Sequence, residues 1–153
     1  MIEVIFEDER WAALGLEALA GPAAKAALAV TGRQIAGFEI ALLGCNNARI
    51  TELNSDFRGK PSATNVLSWP ISASPPITGT TPETPLGDIA IAYETCISEA
   101  AGKGISVDDH VTHLLIHGVL HLLGYDHIAE PDAQEMEALE IKALAKLGIS
   151  NPY

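Results

Sequence analysis

Positive charge is scarce in this chain. Nine Lys and Arg stand against twenty Asp and Glu over 153 residues, a formal net charge of −11, and residues 61–102 carry no Lys or Arg at all. A protein that grips nucleic acid over its whole surface is basic, so that class is excluded. Any contact with phosphates must be local, made by a few cations or by a metal. Cysteine is almost missing too. Cys45 and Cys96 are widely separated, which makes no disulfide framework and reads as two small buried hydrophobes in a reducing cytosol. No apolar run is long enough to cross a bilayer, and the start Met1-Ile2-Glu3-Val4-Ile5-Phe6-Glu7 is not a signal peptide. The expectation is a cytoplasmic chain with no membrane partner and no nucleotide cofactor.

What is present is concentrated in one stretch. All five histidines, His110, His113, His117, His121 and His127, lie within a few turns of each other. His117 and His121 are one helical turn apart, about 6 Å along the axis and about 40° around it, so both rings can reach one cation. Gly124 can end that helix in a left-handed conformation, which brings His127 round as a third ligand. Three neutral imidazoles suit Zn²⁺, and three protein ligands leave one position open, as in a catalytic site. The spacing His-x3-His-x2-Gly-x2-His matches the ligand frame of the metzincin proteases. Those enzymes carry a glutamate base directly after the first histidine, where this chain has Gly118. A structural zinc would want a fourth ligand, often cysteine, and neither cysteine is near in sequence.

At 48% hydrophobic residues the chain can bury one core, and residues 1–153 read as a single domain. Ile2, Val4 and Phe6 alternate with Glu3, Ile5 and Glu7 as a first strand. An alanine-rich segment from about Trp11 to Val30 is expected to form two helical pieces, interrupted at Gly21-Pro22. Gly37 to Gly44 is a second strand. Asn46 or Asn47 can cap a helix with Ile50, Leu53 and Phe57 on one face and Gly59 beyond its end. A loop from Arg58 to Thr64 leads to a short strand over Asn65–Trp69. Pro70 to Pro85 has no apolar period and is expected to be a mobile loop or flap. Leu86 to Tyr93 is a fourth strand, followed by a short helix around Thr95–Gly102. Ser106 with Asp109 resembles a capping box. It opens a helix carrying Val111, Leu114, Leu115, Val119 and Leu122 around much of its circumference, the mark of a buried central helix. A last helix runs from near Pro131 to about Leu147, with Met136, Leu139, Ile141 and Leu144 for packing. The fold class is α+β, with about four strands packed by helices.

Three further blocks stand ahead of the histidines: Leu53-Asn54-Ser55-Asp56-Phe57-Arg58, Thr64-Asn65-Val66-Leu67-Ser68-Trp69-Pro70 and Leu86-Gly87-Asp88-Ile89. With His113 to Asp126-His127 they resemble the bacterial YbeY family of metal-dependent endoribonucleases, linked to ribosomal RNA maturation and ribosome quality control. The resemblance spans about residues 37 to 145. It implies a small domain with one mixed sheet packed by helices, one zinc ion on His117, His121 and His127, and Arg58 as the catalytically important arginine beside the metal. Trp69 stands where the family more often has Phe. The implied substrate is single-stranded RNA, and the implied partners are the ribosome or ribosomal proteins.

Zinc polarises a phosphoryl oxygen, and arginine offers a planar donor fork suited to phosphate. From spacing alone Arg58 reads equally as a solvated helix-end residue offsetting the dipole; the resemblance promotes it. Lys60 stands beside Arg58, and Arg49 completes the one close cation grouping outside the last helix, so both are expected at the substrate. Asp126 either orients an imidazole or caps the turn after Gly124. His113 either lines the cleft or is a hydrogen-bonded core histidine. Gly118, costly inside a helix by about 1 kcal/mol relative to alanine, points to close packing or substrate clearance. A metalloprotease and an RNA-binding module with a structural zinc are the competing readings.

Overall fold

The computed structural model describes residues 1–153. Four strands form one sheet: β1 (Ile2–Phe6), β2 (Phe38–Cys45), β3 (Val66–Pro70) and β4 (Thr84–Ala92), in the spatial order β1-β2-β4-β3. β1 and β4 each run parallel to β2, whereas β3 pairs antiparallel with β4 and forms one edge. The sheet is therefore mixed, as the resemblance implied. Six helices surround it: α1 (Arg10–Leu14), α2 (Leu16–Val30), α3 (Asn47–Arg58), α4 (Tyr93–Lys103), α5 (Val107–Leu122) and α6 (Glu130–Lys146).

Alternation along the strands divides the core in two. Ile40, Leu42, Ile89 and Ile91 face the buried alanines of α2 and the apolar positions of α5. Leu67, Ala90, Ala92 and Cys45 point to the opposite face and meet Ile50 of α3. Helix α5 touches α2, α4, α6, β3 and β4, so it is enclosed on nearly every side, as its circumferential apolar pattern required. Its start is fixed by the Ser106 hydroxyl, which accepts from the Asp109 N–H at 3.1 Å. The His110 imidazole, 2.9 Å from Glu99, ties it to α4. Asn46 caps α3 by accepting from the Arg49 N–H at 2.8 Å.

Three expectations are corrected. The break in the alanine-rich segment falls at Gly15, with φ +90°, and Pro22 lies inside α2. Trp11 is fully buried, its indole N–H donating to the Cys45 carbonyl at 2.8 Å. The chain must then turn sharply to lay the alanine face of α2 on the core, and glycine permits that turn. Pro22 is exposed, so the gap it leaves in the helix ladder opens to water. Phe57 is not packed beneath α3 but is 64% exposed, edge-to-face with Trp69 at 5.3 Å. Asn54 takes the buried place, its amide donating to the Ser62 carbonyl at 2.9 Å and holding the turn after Arg58.

The third correction concerns Pro70 to Pro85. Pro70 ends β3, and Thr84 and Pro85 begin β4. The irregular span between them is fastened to the body. The buried Arg33 guanidinium donates to the carbonyls of Pro76 at 2.9 Å and Pro75 at 3.0 Å. Gly37 and Gly79 pack backbone to backbone, so close that a Cβ on Gly37 would lie 2.6 Å from Gly79. Backbone donors and arginine replace the apolar anchors that the sequence pattern lacks there.

Gly87 is the tightest joint in the sheet. It has φ +143°, and a Cβ there would lie 2.2 Å from the Trp69 carbonyl oxygen and 2.9 Å from Leu122 of α5. Gly87→Ala should therefore cost about 1–3 kcal/mol in backbone strain alone. That corresponds to a fall in Tm of roughly 2–12 °C for a domain of this size. A thermal melt in which the variant matches the parent would contradict this account of the joint.

Candidate metal centre and cleft

The end of α5 assembles the centre. His117 and His121 project from successive turns, and their Nε2 atoms are 3.0 Å apart. After Leu122 the chain turns through Gly124, with φ +100°, while the Tyr125 N–H donates back to the Leu120 carbonyl at 3.1 Å. A side chain at Gly124 would lie 2.8 Å from the Ala73 carbonyl, so both conformation and clearance demand glycine. The turn brings the His127 ring within 5.2 Å of His117 and 5.1 Å of His121, centre to centre. One ligand nitrogen from each histidine lies within 4.8 Å of the others.

The opposite ring nitrogens decide what this cluster can hold. His117 Nδ1 is 2.9 Å from a carboxylate oxygen of Glu140, and His121 Nδ1 is 2.9 Å from the Tyr125 carbonyl. Carboxylate and carbonyl only accept, so each Nδ1 carries the proton and each Nε2 presents a lone pair. Two lone pairs facing each other at 3.0 Å repel unless a cation lies between them. The donor set therefore fits a metal ion. Burial, with the neighbouring His117 and His127, pushes the pKa of His121 down to about 4. Its ring is neutral at ordinary pH, the form that binds metal.

Glu140 is the residue that sequence reasoning missed. It comes from α6, is 1% exposed, and its second oxygen is 2.5 Å from both His113 Nε2 and the Tyr153 hydroxyl. Burial alone would raise its pKa, yet the hydrogen bonds from His113, His117 and Tyr153 pull it down to about 2. Burial and the Glu140 carboxylate together raise the pKa of Tyr153 above the usual phenol value, so it stays a donor. The signal was available in the pattern of α6. Met136, Glu140, Ala143 and Leu144 are its buried residues, and an acid within an apolar helical stripe calls for a buried partner.

The other expected residues separate. Arg58 lines a cleft of about 560 Å³ together with His117, His121, His127, Asp126 and all of β3. It is exposed, and no carboxylate lies within ion-pair distance of it, unlike Arg10 and Arg49. Arg49 stands at the other end of α3, paired with Glu7 at 3.3 Å and Glu52 at 3.1 Å. Nine residues of helix place it roughly 13 Å from Arg58 along the axis, so the expected three-cation grouping does not form. Lys60 is exposed beyond the helix end and does not line the cleft. His113 is a core histidine bound to Glu140. Asp126 accepts the Ile128 N–H at 3.2 Å and shapes the turn. Neither cysteine joins the histidine cluster; both are buried, and burial raises both thiol pKa values.

Gly118 is explained by packing. A Cβ there would lie 3.1 Å from Ile89 and 3.3 Å from the Ser68 hydroxyl, because α5 crosses the sheet at this point. The position that bears the metzincin base is thus turned onto the sheet.

Comparison with known proteins agrees with this architecture. A family profile described as Endoribonuclease YbeY matches residues 7–148. A Cereibacter sphaeroides protein named Endoribonuclease YbeY is 51% identical over 167 aligned residues, covering 100% of this chain and 98% of its own. Similar proteins of the same name occur in Ruegeria pomeroyi, at 51% identity with 99% and 97% coverage, and in Dinoroseobacter shibae, at 49% with 99% and 90%. The solution structure of a Thermotoga maritima protein shares the fold, with a TM-score of 0.60 over 97% of this chain and 92% of that one, at 20% identity. No helix is long and apolar enough to cross a membrane.

The geometry makes a prediction about Glu140 and the triad. His117→Ala, His121→Ala and His127→Ala should each lose bound metal in elemental analysis. Glu140→Gln should keep the metal but bind it roughly 10- to 100-fold more weakly in a chelator competition, the usual cost of losing such a support. Unchanged affinity in Glu140→Gln would show that the carboxylate does not orient His117.

Proposed function

We propose that this chain, which belongs to the endoribonuclease YbeY family, cleaves single-stranded RNA in the cleft shared by Arg58 and the three histidines. The observation that carries the reading is that single cleft. It joins an arginine that makes no ion pair to three imidazoles, two of which, His117 and His121, are already oriented by hydrogen bonds. The metal proposed is one zinc ion on His117, His121 and His127, since three neutral nitrogens suit zinc. When bound, it supplies Lewis acidity toward a phosphodiester oxygen.

The chain's own groups do the rest. Arg58 offers a planar pair of donors to the phosphate, and no ion pair within the chain occupies them. Glu140 keeps the His117 Nδ1 protonated and so holds Nε2 toward the cleft. Every residue of β3 lines the cleft, which places the free edge of that strand along it. Unpaired backbone N–H and C=O groups on an edge strand can hold an extended single strand. A duplex offers them less, since its Watson–Crick edges are already paired. Lys60, just beyond Arg58, is proposed as a second phosphate contact outside the cleft.

The ribosomal part of the proposal rests on the family resemblance: the substrate is ribosomal RNA during maturation and quality control, in the cytoplasm, with the ribosome as partner. Residues 1–153 act as one catalytic domain. The protease reading loses support, since position 118 faces the sheet.

Zinc-loaded protein should cut labelled single-stranded RNA, spare duplex RNA and casein, and stop when a chelator is added. Arg58→Ala should fold and hold zinc as the parent does, yet lose roughly 100-fold or more in cleavage rate, the scale of losing one donor to developing charge. An unchanged rate, or a collapsed melting temperature, would remove Arg58 from the mechanism.

Salt dependence tests the number of phosphate contacts. With two or three phosphates held, log affinity should fall with log salt at roughly −1.4 to −2.1, about −0.7 for each on a single strand. Chelated protein keeps the RNA intact during the titration. Lys60→Ala should flatten the slope, whereas Arg49→Ala, already committed to Glu7 and Glu52, should leave it unchanged. A much steeper slope would place the RNA on another surface.

A further inference from the structure

A second hollow adjoins the metal cleft on the α3 side of the sheet. It measures about 430 Å³, within the roughly 300–1,000 Å³ of small-ligand sites, and is lined by Ile5, Leu43, Leu53, Phe57, Trp69 and Asp88 among others. Phe57 and Trp69 line both spaces, so the edge-to-face aromatic pair is the wall between them. Nearly all of the hollow is apolar. Asp88 is the exception.

Asp88 is in an unusual position. It lies in the middle of β4, between Ala41 of β2 and Trp69 of β3. As antiparallel partners, Trp69 and Asp88 have their Cβ atoms roughly 4.5–5.5 Å apart on the same face. The neighbours of Asp88 along β4 are buried, yet its own side chain is exposed and engages no donor within the protein. A carboxylate beside an RNA cleft repels phosphates. It becomes favourable only toward a group that brings hydrogen-bond donors.

We propose that this hollow receives a guanine base of the RNA strand lying in the metal cleft, stacked on Trp69 with Phe57 against its rim and with its Watson–Crick edge on Asp88. The inference rests on the RNA reading above. Unpaired bases are commonly held by stacking on aromatic rings and by hydrogen bonds to their exposed edges. A carboxylate has only acceptors to offer. Guanine presents two adjacent donors, N1–H and the N2 amine, to its two oxygens. Adenine and cytosine place a ring acceptor beside their amine, and uracil sets its one N–H between carbonyls. Guanine is the base that satisfies both oxygens. Continuity with the cleft through Phe57 and Trp69 places this base next to the bound phosphates, and so at a fixed distance from the cut.

The test is to map cuts made by zinc-loaded protein in a random-sequence single-stranded RNA. Guanosine should be enriched at one fixed position from the cut. Replacing that guanosine by inosine, which lacks the N2 amine, should lower kcat/KM for the site. Asp88→Asn should erase the enrichment, with discrimination falling within the roughly 5- to 150-fold range of a bidentate base contact. Phe57→Ala should instead weaken all sequences alike. Cutting without a base preference, or the same preference in Asp88→Asn, overturns the guanine site while leaving the nuclease reading intact. If no RNA is cut, the nuclease reading fails, and amide chemical shifts decide the hollow separately. Guanosine moving the signals of Ala41, Asp88 and Trp69 more than adenosine supports the site. No response to either nucleoside overturns it and leaves the hollow to a protein partner.

Discussion

A carboxylate taken out of water stays charged only if donors surround it, and Glu140 is surrounded. His113, His117 and Tyr153 converge on its two oxygens from α5 and from the residues beyond α6. Removing one partner from such a cluster leaves a buried charge uncompensated, which is strongly destabilising. The same contacts that keep α6 and the chain end against α5 therefore also determine the tautomer of His117. Stability and metal affinity share one hydrogen-bond network. The histidine pair cannot be reoriented without disturbing the packing beneath it.

Helix α5 carries both demands along its length. Its apolar residues seat it among α2, α4, α6 and the sheet, and its last turns bear two of the three clustered histidines. Gly118 lets it approach Ile89 and Ser68, which fixes the depth of the histidines relative to β3. Because β3 is an edge strand, the cleft beside the histidines is bounded by backbone with one side unpaired. Arg58 reaches this cleft from the opposite wall only because α3 ends there, with Gly59 in a left-handed conformation and Asn54 clamping the following turn. The overall acidity of the chain is compatible with this arrangement, since the arginine in the cleft makes no ion pair.

Much of the fold was legible from local pattern. Alternation located the strands, circumferential apolarity located α5, and Asn46 and Ser106 cap the helices they were expected to cap. The misplaced break at Gly21-Pro22 shows where local rules yield. An exposed proline is tolerated in a helix whose other face is well buried, while the turn went to Gly15, where burial of Trp11 required it. Phe57 shows the reverse case. A helical apolar period placed it inward, but Phe57 is exposed at the end of α3, and the ring pairs with Trp69 between the two hollows.

What the sequence determined by itself was the histidine cluster, because two helical steps and one glycine turn are short-range geometry that any α-helix imposes. It also determined the succession of strands and helices, through period and caps. The tertiary structure alone decided which residues support that cluster and which face it. Glu140 and Tyr153 reach His113 and His117 across separations that no helical or strand period encodes. Arg49 and Arg58 look alike in sequence, yet one is bound by Glu7 and Glu52 and the other opens onto the histidines. The reason is physical: spacing along a chain sets direction within one element, but the partners of a charge are chosen by packing between elements.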